Sequence, residues 1–93
     1  GIWFDSKKEA VRFCELMLMQ KAGAISNRAC QPRYAITVNG HVICEYRADF
    51  RYDDRETNGV VVEDVKSVAT VTDVFRLKKK LMLAVHGIDV RLV

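Results

Sequence analysis

Asp49 and the run Glu63-Asp64-Val65-Lys66 are the residues of this chain best able to do chemistry together. Asp49 closes one strand-like run, and fifteen residues later Asp64 and Lys66 stand two apart on another. Two carboxylates and a lysine gathered on neighbouring strands can hold a hard divalent cation and orient a water against a phosphodiester. The same pattern at loose spacing also arises by chance in charged chains. The elements that carry it therefore decide its weight.

Ser6-Lys7-Lys8-Glu9 is a capping-box sequence, and Ala10, Val11, Phe13, Cys14, Met17 and Leu18 recur after it at helical spacing until Gly23. This predicts a first helix over about 6–22. Gln31-Pro32 breaks the chain, and residues 34–38 form a strand that meets Asn39-Gly40, a type I′ hairpin signal. In the second strand Val42, Cys44, Tyr46, Ala48 and Phe50 alternate with His41, Ile43, Glu45, Arg47 and Asp49, so Asp49 lies on the polar face. A polar loop over 53–59 leads to a third strand from Val60 to about Ser67. There Val62, Asp64 and Lys66 share one face while Val61, Glu63 and Val65 share the other, which turns Glu63 away. Thr72 or Asp73 caps a second helix that runs to His86 and stops at Gly87, and Ile88 to Val93 is a short last strand. On the helical wheel Val74, Leu77, Leu81 and Val85 make the expected buried stripe, with Lys78 inside it. That lysine either snorkels to solvent or points along the sheet toward Asp49 and Asp64.

The resulting order is α-β-β-β-α-β, and the third strand, second helix and fourth strand form a crossover expected to be parallel and right-handed. The fold class is an α/β (α+β, mixed-sheet) domain whose four-stranded sheet is flanked by helices. Residues 1–93 read as one folding unit with no repeat or low-complexity linker. The chain begins at Gly1 without a Met, as a trimmed fragment lacking an upstream segment does. Hydrophobic residues make up 49% of the chain and the net charge is +3, an ordinary globular balance that suits an anionic partner without proving one. No apolar run reaches the length of a membrane span and no signal peptide is recognisable, so the expected location is the cytoplasm. Cys14, Cys30 and Cys44 lack CxxC spacing and read as reduced core thiols rather than zinc ligands or a disulfide framework.

The order of elements, with Glu9 on helix one, Asp49 at the end of strand two and Asp64-Val65-Lys66 on strand three, resembles the restriction-endonuclease-like core of the PD-(D/E)xK nuclease superfamily. The runs Phe4-Asp5-Ser6-Lys7-Lys8-Glu9-Ala10, Lys21-Ala22-Gly23, Gln31-Pro32, Ala48-Asp49-Phe50, Glu63-Asp64-Val65-Lys66 and Arg76-Leu77-Lys78-Lys79-Lys80-Leu81-Met82 look like a small phage- and prophage-encoded family of such predicted endonucleases. The resemblance implies that Asp49, Asp64 and the backbone carbonyl of Val65 bind magnesium, with manganese as a substitute. It further implies that Lys66 acts on the attacking water and that Glu9 completes the acidic cluster. DNA is the implied partner. Lys7, Lys8 and Arg12 on helix one and Arg76, Lys78, Lys79 and Lys80 on helix two are candidate phosphate contacts. With no recognition helix or zinc finger to read bases, structure-selective cleavage of branched or recombining DNA fits better than restriction. Cutting both strands of a duplex needs two sites, so a homodimer is expected.

Each residue also has a structural reading. Glu9 occupies the position where a capping-box Glu caps its own helix. Asp49 can pair with Arg47 or Arg51, and Asp64 with Lys66 as a surface ion pair. Asp53, Asp54 and Glu56 read as a solvated turn, Gln31 holds its own turn or reaches the site, and His41 and His86 have no partners at catalytic spacing. The competing function is a non-catalytic nucleic-acid-binding or assembly module that keeps the nuclease fold.

Overall fold

The computed structural model describes residues 4–93. The segment expected upstream of Gly1 lies outside the described residues. Helix α1 (Lys7–Lys21) starts where the extended Ser6 accepts the Glu9 N–H on its hydroxyl, and ends at Gly23, whose φ of 83° is the left-handed conformation a helix stop requires. Five strands follow: β1 (Ile25–Cys30), β2 (Arg33–Val38), β3 (His41–Arg47), β4 (Phe50–Asp54) and β5 (Gly59–Asp64). Helix α2 (Asp73–His86) is capped by the Thr72 hydroxyl and closed by left-handed Gly87, and β6 (Arg91–Leu92) ends the chain. The main sheet has the order β1-β4-β5-β6, antiparallel except for the parallel β5–β6 pair, while β2 and β3 form a separate hairpin ribbon. Asn39 and Gly40 both take positive φ at its tip, as a type I′ turn demands.

The mixed four-stranded sheet between two helices is as expected, but two strands are additional. Residues 25–30 gave no strand signal because β1 is an edge strand with a single fully buried residue, Ile25, and a register irregularity at left-handed Asn27. The run 41–50 alternates throughout yet is two strands, since the chain bends at Ala48-Asp49 and leaves the hairpin for the main sheet. Tyr46 and Ala48 consequently pack on the α2 side, whereas Phe50 and Tyr52 pack on the α1 side. Backbone bonds at the bend run from Gln31 N–H to Asp49 O, from Ala48 N–H to Pro32 O and from Asp49 N–H to Glu63 O. They fix the direction of Asp49. Strand β5 stops at Asp64 and the last strand is shorter than expected, although Lys66 N–H still reaches Val93 O.

One core cluster (Ile36, Tyr46, Ala48, Val62, Phe75, Met82, Val90) joins α2, the hairpin and one sheet face; the other (Leu16, Ile25, Phe50, Tyr52, Val61) joins α1 to the opposite face. The buried stripe of α2 is turned by one residue from the expected one: Phe75 and Met82 are buried, whereas Val74 is 63% and Leu77 is 58% exposed. The hairpin causes the rotation. Lys78 Nζ donates to Glu45 O at 3.0 Å and the His86 ring meets Ala35 O at 2.8 Å, so both polar side chains reach the hairpin from the edge of the helix. Lys78 thus turns to the hairpin and not to the acidic residues. On α1 the inward residues are Glu9 and Leu16, and Val11, Cys14, Met17 and Leu18 are exposed. Cys14 is therefore no core thiol, while Cys30 and Cys44 pack against the two clusters as free thiols.

Beneath α1, Glu63 is 0% exposed and is held by Arg12 through two bonds (Nε–Oε1 2.9 Å, Nη2–Oε2 2.6 Å) and by the Tyr52 hydroxyl. Burial pushes the Tyr52 phenol up to about 12, with the Glu63 hydrogen bond second, so it remains a donor. Arg12, a candidate phosphate contact from sequence, is committed to this pair. Arg12→Ala leaves a buried carboxylate without its cation and is expected to lose about 3 kcal/mol or more in denaturant unfolding. Arg76→Ala, which breaks only the exposed 2.9 Å pair with Asp73, should lose less than about 1 kcal/mol.

Candidate active site

The pleat of β5 sends Glu63 to the α1 face and Asp64 to the α2 face, where the bend after β3 delivers Asp49. Asp49 Oδ2 accepts the Val65 N–H at 2.7 Å, and the Asp64 carboxyl is near enough to help raise that of Asp49. Asp64, 3% exposed, has Oδ1 3.3 Å from Lys66 Nζ and Oδ2 bonded by the Tyr46 hydroxyl. The first turn of α1 reaches this end of the sheet. There Glu9 is buried close enough to feel the charge of Asp64, and Lys8 Nζ donates to Lys66 O at 2.7 Å. Asp49, Asp64 and Lys66 are thus brought together at one end of the sheet, with Glu9 on α1 near enough to be raised slightly by Asp64 but sharing no hydrogen bond or ion pair with them.

Several structural readings are resolved by these contacts. Glu9 accepts the Asp5 N–H on Oε2 at 3.3 Å, one residue earlier than a regular capping box, while its Oε1 is buried without a hydrogen-bond partner. It caps the helix and lies within the field of Asp64. Arg47 pairs with Asp5 and Arg51 with Asp53, so neither takes Asp49. Asp64 and Lys66 are an ion pair, but one anchored on a buried carboxylate rather than on the surface. The loop expected over 53–59 is shorter, because Asp53 and Asp54 end β4 and Gly59 starts β5; the turn between them is closed by the Glu56 N–H on Asp54 Oδ1. Lys7, Arg76 and Lys80 are exposed, and Lys79 pairs with Asp89. A cleft of about 250 Å³ lined by Lys8, Val11, Arg12, Glu15, Val65 and Val93 lies on the α1 side of the strand, opposite the face that bears Asp64.

Two contributors were missed in the sequence. Tyr46 read as one apolar position in an alternating strand, though a buried tyrosine hydroxyl must find a partner and that requirement was the available signal. Phe75 lay outside the expected stripe of α2, yet its ring packs 6.4 Å from the Tyr46 ring and lies under Lys66 Nζ at 4.7 Å.

Burial first, and then the nearby Asp64, push the Asp49 carboxyl up to about 7; the Val65 N–H opposes them. Burial also raises Glu9, against the Asp5 N–H. Tyr46 is held well above the ordinary tyrosine range by burial and by Asp64, so it stays a donor. Because the folded value of Asp49 lies above the ordinary aspartate range near 4, the folded state keeps a proton that the unfolded chain releases between about pH 4 and 7. That contribution to stability is full below about pH 4 and is lost as pH rises through about 7; Glu9 acts with the same sign. In chelator, Tm should fall between pH 5 and pH 8, each 1 kcal/mol being worth about 4–8 °C for a domain of this size. Asp49→Asn should flatten the dependence in a calorimetric pH series. An equally steep slope in the variant places its source elsewhere.

No curated protein and no solved structure matches the chain. A family model does match, over residues 1–93, and the chain belongs to that family, described as protein of unknown function (DUF1064).

Proposed function

We propose that this chain is a divalent-cation-dependent endonuclease of PD-(D/E)xK type that hydrolyses phosphodiester bonds in branched or recombining DNA, in keeping with the phage and prophage endonucleases it resembles. One observation carries the reading: two buried carboxylates, Asp49 on the Val65 N–H and Asp64 with its Oδ1 3.3 Å from the Lys66 ammonium, lie at the same end of the sheet, near enough that Asp64 raises the Asp49 carboxyl. Like charges buried against one another require protons or a cation. The donor set fits magnesium, since every side-chain donor is an oxygen and Glu9 Oε1 is buried without a partner. Among the described residues no three His, Cys, Asp or Glu side chains form a metal-binding group on their own. A magnesium site supplied by two carboxylates, the Val65 carbonyl and retained waters needs no such group.

When bound, magnesium, or manganese in its place, supplies positive charge against the scissile phosphate and acidifies a water. Asp49 and Asp64 hold the cation, and Glu9 closes the cluster from α1. Lys66 orients the attacking water and meets the charge that develops on the phosphate. Lys8, whose Nζ donates to Lys66 O, the exposed Lys7 before it, and Arg76 and Lys79 on α2 are read as phosphate contacts that give salt-sensitive binding, while Lys78 is held by Glu45 O of the hairpin. The exposed pairs of Arg76 and Lys79 with Asp73 and Asp89 are weak enough to exchange for phosphate. A second reading, a DNA-binding or assembly module without activity, draws on the closure of the site, because Tyr46 and Lys66 already occupy both oxygens of Asp64.

Mutants separate the two readings. Asp64→Ala should abolish both cleavage of a branched substrate in magnesium and most manganese binding by calorimetry. Lys66→Ala should abolish cleavage and leave manganese affinity within about threefold, because removing a ligand empties the site while removing the lysine leaves it loaded. Wild-type cleavage in both Asp64→Ala and Lys66→Ala would falsify the nuclease reading.

Cutting a duplex on both strands calls for two copies, and Val74, Leu77 and Val85 give α2 an exposed apolar row for pairing. Light scattering at high concentration should report a dimer that Leu77→Asp converts to monomer. A wild-type monomer at every concentration argues against it.

A further inference from the structure

Asp64 reaches the site with both oxygens assigned. Oδ2 accepts from the Tyr46 hydroxyl, whose residue is 3% exposed, and Oδ1 faces Lys66 Nζ at 3.3 Å. A carboxylate on a strand end can otherwise rotate about its last torsion, which has broad and roughly two-fold wells. The hydroxyl removes that freedom. Lys66 is a long, flexible side chain that is fixed in the same way from the other side, by the face of the Phe75 ring 4.7 Å below its ammonium. The two aromatic rings pack against each other at 6.4 Å, so the orienting groups of Asp64 and Lys66 form one platform made by β3 and α2.

We propose that Tyr46 is a positioning residue of this site: its hydroxyl fixes Oδ2 of Asp64 so that Oδ1 is the oxygen presented to Lys66 and to a cation, while Phe75 holds Lys66 in register on the same platform. The catalytic consequence rests on the nuclease reading; the geometric claim does not. Tyr46 touches neither the reacting phosphate nor the water, and acts through Asp64.

Tyr46→Phe deletes one oxygen and keeps the ring that packs on Phe75. In a crystal structure of the metal-free variant, the Asp64 carboxylate is expected to rotate and the Lys66 contact to open beyond hydrogen-bonding reach. Manganese affinity should fall about tenfold by calorimetry, and kcat on branched DNA about tenfold or more with KM unchanged, a split that general loosening of the fold does not produce. An Asp64 that keeps its orientation and its 3.3 Å contact with Lys66 in the variant overturns the proposal, whatever the activity. If wild type neither binds manganese nor cleaves while Asp64 still swings in Tyr46→Phe, the nuclease reading fails and the positioning role stands. Should Tyr46→Phe not fold, Phe75→Leu keeps the hydroxyl and reads the other half of the platform. There Lys66 is expected to leave Asp64 Oδ1 with manganese affinity held, and a Lys66 that stays in place overturns the shared platform.

Discussion

Strand β5 ends in two consecutive buried carboxylates, Glu63 and Asp64, and the arrangement around them organises the molecule. The pleat sends them to opposite faces, so neither can serve the other and each must be compensated from a different helix layer. The answers are alike in kind: a cation and a tyrosine hydroxyl on each side, Arg12 with Tyr52 for Glu63, Lys66 with Tyr46 for Asp64. They differ in balance. Glu63 meets a bidentate guanidinium that matches it charge for charge, which makes a structural pin between α1 and the sheet. Asp64 meets a single ammonium group, with the carboxyl of Asp49 nearby and no cation paired with that carboxyl among the described residues.

That surplus of negative charge on one face is the physical basis of the functional reading. A fold needing only stability gains nothing from placing Asp49 against Asp64, since an apolar pair of similar volume avoids the desolvation of two carboxylates. Burial and the nearby Asp64 raise the Asp49 carboxyl, so holding it ionised calls for positive charge close by. Exchange of a proton for a divalent ion is what a hard-metal site does as it loads. The orphaned Glu9 Oε1 belongs to the same imbalance, for its other oxygen already caps α1 through the Asp5 N–H.

How much of this was legible in the sequence follows from which residues obey local rules. Both helices, the Asn39-Gly40 turn and the split of Glu63 from Asp64 were readable, because capping residues, left-handed turn positions and strand alternation act within a few residues. Strand β1 was hidden by its edge position and the Asn27 irregularity. The β3–β4 bend was hidden because alternation through Ala48-Asp49 is unbroken, and only contacts with Gln31, Pro32 and Glu63, each 14 to 18 residues away, turn the chain. The inward face of α2 was misassigned for a related reason. Its wheel carries apolar residues on two arcs, and the choice between them belongs to Glu45 and Ala35 of the hairpin, whose carbonyls accept from Lys78 and meet His86.

The hairpin therefore links what the sequence separates. It holds α2 through Lys78 and His86, and this rotation brings Phe75 under Lys66 and against Tyr46. Its own strand β3 carries Tyr46 to Asp64 and, after the bend, Asp49 to Val65. Had α2 buried its richer apolar arc, Val74 and Leu77 would face the sheet and Phe75 would be drawn away from Lys66. The extra apolar burial, about 25 cal/mol per Å², is left unrealised on the outer face of α2, and in exchange the lysine and the aspartate keep fixed orientations. A helix that exposes Val74 and Leu77, buries Phe75 and Met82 and ties Lys78 and His86 to hairpin carbonyls is placed by its contacts with the hairpin as well as by its own amphipathicity.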